Sequence, residues 1–207
     1  MLPTNKADLR QRVLDMRGGM DASLRSRAAQ AVAGHAVLDV GARVVSAYHA
    51  IDHELDPARL VDTLADQGAL LALPVLLDNE TMVFRQWNRH KELVSVGFGT
   101  LGPDADQPQI LPELIFAPLA AFSSAGQRIG YGKGHYDRAV AKMYRLGHRP
   151  AYVGLAFEEQ EVPAFDAEPH DVMLDAVLTP SGVRIFDHGR ERMEPFLRVG
   201  SAATDRR

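Results

Sequence analysis

The chain has 207 residues, no cysteine, and a formal net charge of −4 from 23 basic and 27 acidic side chains. That length suits one domain that buries roughly 70% of its unfolded surface, so no covalent or metal staple is required. Lack of cysteine excludes disulfide frameworks, thiol nucleophiles, iron–sulfur clusters and cysteine-ligated zinc, and the acidic balance excludes a global basic field for nucleic acid.

Leu9, Val13 and Met16 recur at helical spacing, which predicts a first helix capped by Thr4 or Asn5 and ended by Gly18-Gly19. Asp21 caps a second helix running to about Leu38, and residues 43–49 read as a strand. Asp56-Pro57 supplies an N-cap and a first-turn proline for a helix that buries Leu60, Val61 and Leu64 and stops at Gly68. Residues 69–73 and 81–87 read as strands, 97–112 as a loop rich in Gly, Pro and Asp, and 114–117 as a fully apolar strand. A glycine-rich loop at 126–134 opens a helix with Tyr136, Val140, Met143 and Tyr144 on one face. Residues 151–155 and 176–178 are short apolar strands, and 188–207 read as a polar, frayed tail behind a single domain at 1–187. Alternating strands and helices predict an α/β layered fold with a largely parallel sheet flanked by helices. Ligands in such sheets bind at the carboxyl ends of the strands.

No apolar h-region opens the chain, and the apolar run at 69–77 is short and broken by Pro74. The expected setting is therefore cytoplasmic, without a membrane partner. Residues 1–30 carry Lys6, Arg10, Arg12, Arg17, Arg25 and Arg27 against Asp8, Asp15 and Asp21. A basic element on an acidic body suggests a small anionic ligand rather than a polyanion.

The chemistry concentrates in residues 128–138, Arg-Ile-Gly-Tyr-Gly-Lys-Gly-His-Tyr-Asp-Arg. Glycines at alternate positions let the backbone approach a phosphate, Lys133 lies inside the loop, and the following helix adds its positive end. Asp137 in the first turn can hold a divalent cation beside the phosphates. The Walker template fails because Gly134 stands where Ser or Thr is needed, and the dinucleotide fingerprint fails at His135. The bland alternative is a flexible surface loop with a helix cap. Lys6 and Arg10 share a helical face, as an anion between them or a solvated face would each permit. Glu54, at the end of a predicted strand, can bind the donors of a heterocycle or sit in solvent. His49 and His53 lack a third ligand for metal. Asp171 and Asp175 are turn residues, or one of them joins Asp137 at a magnesium ion. Trp87, Met82 and Phe84 read as core rather than a cofactor cage.

Taken in order, these segments resemble the 5-formyltetrahydrofolate cyclo-ligase family over roughly residues 6–180. The strongest piece is 128–138. The Lys-x-x-Leu-Arg element at 6–10, Tyr48…Glu54, Leu73-Pro74, Met82-x-Phe84, Gly154-x-x-Phe157-x-x-Gln160 and His170-Asp171…Leu174-Asp175…Leu178-Thr179 accompany it. The resemblance implies ATP-dependent closure of 5-formyltetrahydrofolate to 5,10-methenyltetrahydrofolate, with Mg²⁺ as cofactor and ADP and phosphate released through a phosphorylated formyl group. It implies that ATP is held by Lys6, Ala7, Asp8, Leu9 and Arg10 and by Arg128, Ile129, Gly130, Tyr131, Gly132, Lys133, Gly134, His135 and Tyr136. Lys133 and Arg10 would serve as catalytic residues. His49, Glu54, Tyr131, His135 and Tyr136 would bind the folate, and Asp137 and Asp175 the metal. Three positions depart from the family pattern: His135 replaces a usual tyrosine, Ser123 an aspartate, and Gly102 a glutamate. They permit a second reading, a paralogue that binds folate or nucleotide without turnover. An unrelated activity on a similar α/β scaffold is a third.

Overall fold

The computed structural model describes residues 5–35, 38–97 and 99–197. Helix α1 (Lys6–Gly18) starts where the Asn5 side chain accepts the Ala7 amide, and Thr4 lies outside the described residues. Asp21 caps α2 (Ala22–Gly34) through the Ser23 amide. The helix thus ends before the expected Leu38, and residues 36–37 lie outside the described part. There follow β1 (Val44–Ser46), α3 (Ala58–Asp66), β2 (Leu70–Leu76), β3 (Met82–Gln86), β4 (Val94–Ser95), β5 (Leu101–Gly102) and β6 (Leu114–Ala117). Then come β7 (Ala121–Ser123), β8 (Arg128–Ile129), α4 (His135–Arg145), β9 (Ala151–Leu155), β10 (Glu161–Val162), β11 (Ala176–Thr179), β12 (Gly182–Ile185) and α5 (Arg190–Met193).

Seven strands form the main sheet in the order β12-β11-β9-β6-β1-β2-β3. The five inner strands are parallel to their neighbours, and only the edge pairings β11–β12 and β2–β3 are antiparallel. This is the expected α/β architecture. The period of two along β6 divides its apolar residues between layers. Leu114 and Phe116 join Val32, Leu60, Leu64 and Met193 on one face, while Ile115 and Ala117 join Val140, Met143 and Tyr152 on the other. Outside that sheet, Leu9 and Val13 of α1 pack on Ala121 and Ile129 of the small β10-β7-β8 sheet. This contact fixes the basic helix beside the glycine loop. No helix among the described residues is long and apolar enough to cross a membrane.

Three further expectations change. First, β2 runs through Pro74 instead of ending at residue 73. The Leu77 amide donates to Thr81 and the Trp87 amide to Leu71, so alternate residues carry the ladder to β3. The Pro74 nitrogen turns to the other side, where the pairing with β1 has ended at Ala72, and needs no hydrogen there. Second, the stretch 97–112 is not wholly loop, because β5 pairs with β4. Third, residues 188–197 are no frayed tail. Met193 and Phe196 are buried in the core, and the Phe196 carbonyl accepts the Asp39 amide at 2.8 Å. The two apolar anchors were masked by the polar residues around them; 198–207 lie outside the described residues.

Candidate active site

The carboxyl ends of β1, β2 and β6 open into a cavity of ≈ 290 Å³. The glycine loop and the start of α4 close one side of it. His49, Glu54, Arg128, Gly130, Tyr131, Lys133, His135 and Tyr136 all line this space. Its apolar wall comes from Ile51, Pro74, Leu76, Met82 and Leu101. A planar, largely apolar ligand with a few polar edges fits such a lining.

Two glycines explain the loop's shape. A Cβ at Gly130 would lie 2.8 Å from Nη1 of Arg128, so any larger residue would push that guanidinium from its place beneath the loop. Gly134 caps α4 in the left-handed conformation, at φ +64°. Arg128 is buried, pairs with Asp137 at 2.6 Å, and lies between the rings of Tyr136 and Tyr152. It supports the loop from within. The Tyr136 hydroxyl is buried without a hydrogen-bond partner among the described residues, which leaves its donor for a ligand. Lys133 is exposed at the cavity rim.

Glu54 is 7% exposed. Burial raises its carboxyl above the ordinary value, opposed by the Ile51 amide, the Tyr131 hydroxyl and the Arg17 charge. Its Oε2 accepts the Ile51 amide at 3.0 Å. Burial also raises Tyr131, and Tyr136 well above the phenolic range. Both therefore remain protonated donors.

Helix α1 flanks the loop outside the cavity. Arg10 Nε donates to the Gly130 carbonyl at 2.7 Å, and its guanidinium lies against Gly132. Lys6 pairs with Asp171 at 2.5 Å and with Glu168 at 3.5 Å. Partial burial opposes the effect, but the Lys6 hydrogen bond and the Glu168 amide outweigh it and hold the Asp171 carboxyl below its ordinary value. Ala7 and Asp8 are exposed, whereas the side chains of Leu9 and Ile129 turn into the core and cannot reach a nucleotide.

The two residues expected to hold metal stand in different settings. Asp175 is fully buried: one oxygen accepts the Tyr152 amide and the other the Arg192 guanidinium. It therefore offers no free carboxylate to a hydrated ion. The backbone beside Asp171 reaches Asp137 instead: the Val172 amide donates to Asp137 Oδ1 at 3.2 Å, while Arg128 holds the other Asp137 oxygen. Glu168, His170 and Asp171 could also offer ligand atoms within 4.8 Å of one another. An oxygen-rich pair there suits Mg²⁺.

The three departures find local explanations. Ser123 Oγ is 3.3 Å from the amides of Ala125 and Gln127 and 2.9 Å from the Gln127 side-chain oxygen, closing the turn between β7 and β8. A Cβ at Gly102 would meet Val96 at 3.0 Å, so a glutamate would have to displace packed side chains. His135 Nε2 lies 2.9 Å from the Asn79 carbonyl, tying the loop to the β2–β3 turn. Among the remaining candidates, Phe84 is core, Met82 also lines the cavity, and Trp87 borders a separate polar pocket. Sequence reasoning missed Arg17, visible only as one basic residue among six in the first 30. It also missed Ile51, Leu76 and Leu101 of the cavity wall and read Met82 as core, since such apolar residues resemble any core strand.

A sequence model of the 5-formyltetrahydrofolate cyclo-ligase family matches residues 3–180. The 5-formyltetrahydrofolate cyclo-ligase of Mycolicibacterium smegmatis is 30% identical over 192 residues, covering 87% of this chain and 96% of the relative. That of Escherichia coli is 33% identical over 150 residues, covering 70% and 81% respectively. The solved 5,10-methenyltetrahydrofolate synthetase of Aquifex aeolicus superposes with a TM-score of 0.73 at 25% identity, covering 88% of this chain and 93% of that one.

Proposed function

Since the chain belongs to the 5-formyltetrahydrofolate cyclo-ligase family, we propose that it converts 5-formyltetrahydrofolate and ATP to 5,10-methenyltetrahydrofolate, ADP and phosphate in the cavity described above. The observation that carries this reading is the meeting of Glu54, Tyr131 and Tyr136 with Lys133 in one ring-sized space. Donors and acceptors for a heterocycle thus face a cation for a phosphoryl group.

In this reading the formyl oxygen attacks the γ-phosphorus and ADP leaves. N10 then attacks the activated formyl carbon, and the oxygen departs as phosphate. An amide oxygen leaves poorly and phosphate leaves well, so the protein's task is positioning and charge neutralisation. Glu54 accepts from the pterin, Tyr136 donates from the opposite wall, and His49 lies at the rim. Lys133 reaches the transferred phosphoryl group from inside the loop, and Lys6 and Arg10 neutralise the nucleotide from α1. Asp137 and Asp171 would hold Mg²⁺, which when bound neutralises phosphate charge.

The test is direct. Protein, 5-formyltetrahydrofolate, Mg²⁺ and ATP are mixed, and the near-ultraviolet band of the methenyl product is followed. An ATP-dependent rise stopped by a chelator is expected. A flat trace from folded protein that still binds folate would overturn the reading in favour of a non-catalytic paralogue.

A further inference from the structure

Arg17 is 1% exposed and stands outside the cavity lining. A guanidinium so deeply buried ordinarily has a carboxylate partner. Here, among the described residues, its hydrogen-bond acceptors are uncharged: Nη2 donates to the Tyr131 hydroxyl at 2.6 Å and to the Asp52 carbonyl at 2.9 Å, and Nη1 to the Leu119 carbonyl at 3.3 Å. Among those residues its Nε has no partner.

Those acceptors belong to the walls of the cavity. Tyr131 carries the contact on, its hydroxyl facing the Glu54 carboxyl and opposing the rise that burial gives it. The Asp52 carbonyl lies in a turn where Asp52 and His53 have φ of 45° and 63°, a conformation unfavourable for side-chain-bearing residues. The same turn is closed by the Glu54 amide on the Ile51 carbonyl at 2.8 Å. Arg17 thus grips both the strained turn that carries Glu54 and the tyrosine that faces it. Arg10 and Arg17, seven residues apart, share one face of α1. They bond to successive loop residues, Gly130 and Tyr131.

We infer that Arg17 is a positioning residue for the folate end of the cavity, holding Tyr131 and the Asp52–Glu54 turn so that the Glu54 carboxylate faces the ligand. The inference rests on the proposed reading of that cavity. Through Arg17, the helix that carries Lys6 and Arg10 is joined mechanically to the acceptor of the ring. Arg17 does not touch substrate; it acts through Glu54 and Tyr131.

The groups facing Glu54 set the expected pH behaviour. Arg17 comes from α1, Asp52 from its own turn, Tyr48 from beyond β1, Tyr131 from the loop and Tyr136 from α4. His49, Arg128, Lys133 and His135 share the cavity. Burial raises Glu54, and Arg17 and Tyr131 act against that rise. Removing either leaves Glu54 protonated to a higher pH.

The experiment compares wild type, Arg17→Met, Arg17→Lys and Tyr131→Phe. It records the KM for 5-formyltetrahydrofolate and for ATP, direct binding of 5-formyltetrahydrofolate, the pH profile of kcat/KM for the folate, and thermal melting. Arg17→Met is expected to raise the folate KM about tenfold, the loss of one hydrogen bond to a charged group, while the ATP KM changes little. Its acid limb moves to higher pH, and Arg17→Lys recovers part of both effects. Tyr131→Phe moves the acid limb the same way, and it decides the matter if Arg17→Met does not fold. A folded Arg17→Met with the wild-type folate KM and pH profile would overturn the inference, as would an unmoved acid limb in Tyr131→Phe. A wild type that neither turns over nor binds 5-formyltetrahydrofolate would overturn the reading of the cavity and this inference with it.

Discussion

Arg192 Nε donates to Oδ1 of Asp175 across 2.8 Å, so an aspartate in the His-Asp…Leu-Asp segment is tied to the C-terminal helix. Asp175 also accepts the Tyr152 amide on β9, joining strand, loop and α5 at a point with no solvent access. The nearby Gly189 allows this approach, since a Cβ there would lie 2.3 Å from the Asp175 carbonyl oxygen.

Replacing Asp175 with alanine should therefore act on stability. Loss of one partner from a buried pair costs about 3–5 kcal/mol. A large fall in melting temperature is expected, with an unchanged Mg²⁺ requirement in the protein that remains folded. Asp171→Asn should do the reverse, with little change in melting but a raised Mg²⁺ concentration for half-maximal rate. The comparison is made by thermal denaturation beside metal titration of the initial rate.

Lys133→Ala and Arg10→Ala should each lower kcat by about 10²–10³-fold, the usual effect of removing one group that stabilises transition-state charge. Lys133 is exposed, so its loss leaves folding intact. Circular dichroism and the methenyl absorbance assay together check this. Wild-type rates in both variants would remove the phosphate-site assignment.

Glu54→Gln should weaken folate binding and yet raise stability at neutral pH. The folded-state value of Glu54 is raised by burial, so the native protein binds this proton more tightly than the unfolded chain. Its destabilising contribution is absent below the unfolded value and grows as pH rises through the folded one. The glutamine variant should therefore melt higher than wild type at pH 8, with the difference vanishing in acid. Melting curves at several pH values, beside folate titrations, measure both effects.

Met193→Ala should cost about 2–5 kcal/mol, because its side chain is fully buried against the sheet. Ending the chain at residue 187 should prevent stable folding altogether, since Met193, Phe196 and Arg192 leave together. Soluble yield and cooperative thermal melting of the truncated chain decide this.

What the sequence by itself determined is local in origin. The caps at Asn5 and Asp21, the apolar runs that became β6 and β9, and the glycine spacing that opens α4 are set by neighbouring residues. The ordered motifs placed the chain in its family and named most residues that line the cavity. Tertiary structure alone decided the rest, because it turned on which distant groups meet. Arg17 and Asp52 are 35 positions apart, Lys6 and Asp171 are 165 apart, and only their packing gives one a positioning role and the other its cation. Asp171 and Asp175 read alike along the chain. The sheet buries Asp175 beneath Arg192 and leaves Asp171 beside the loop, because four residues that turn into a strand carry one carboxylate inward and leave the other at the edge.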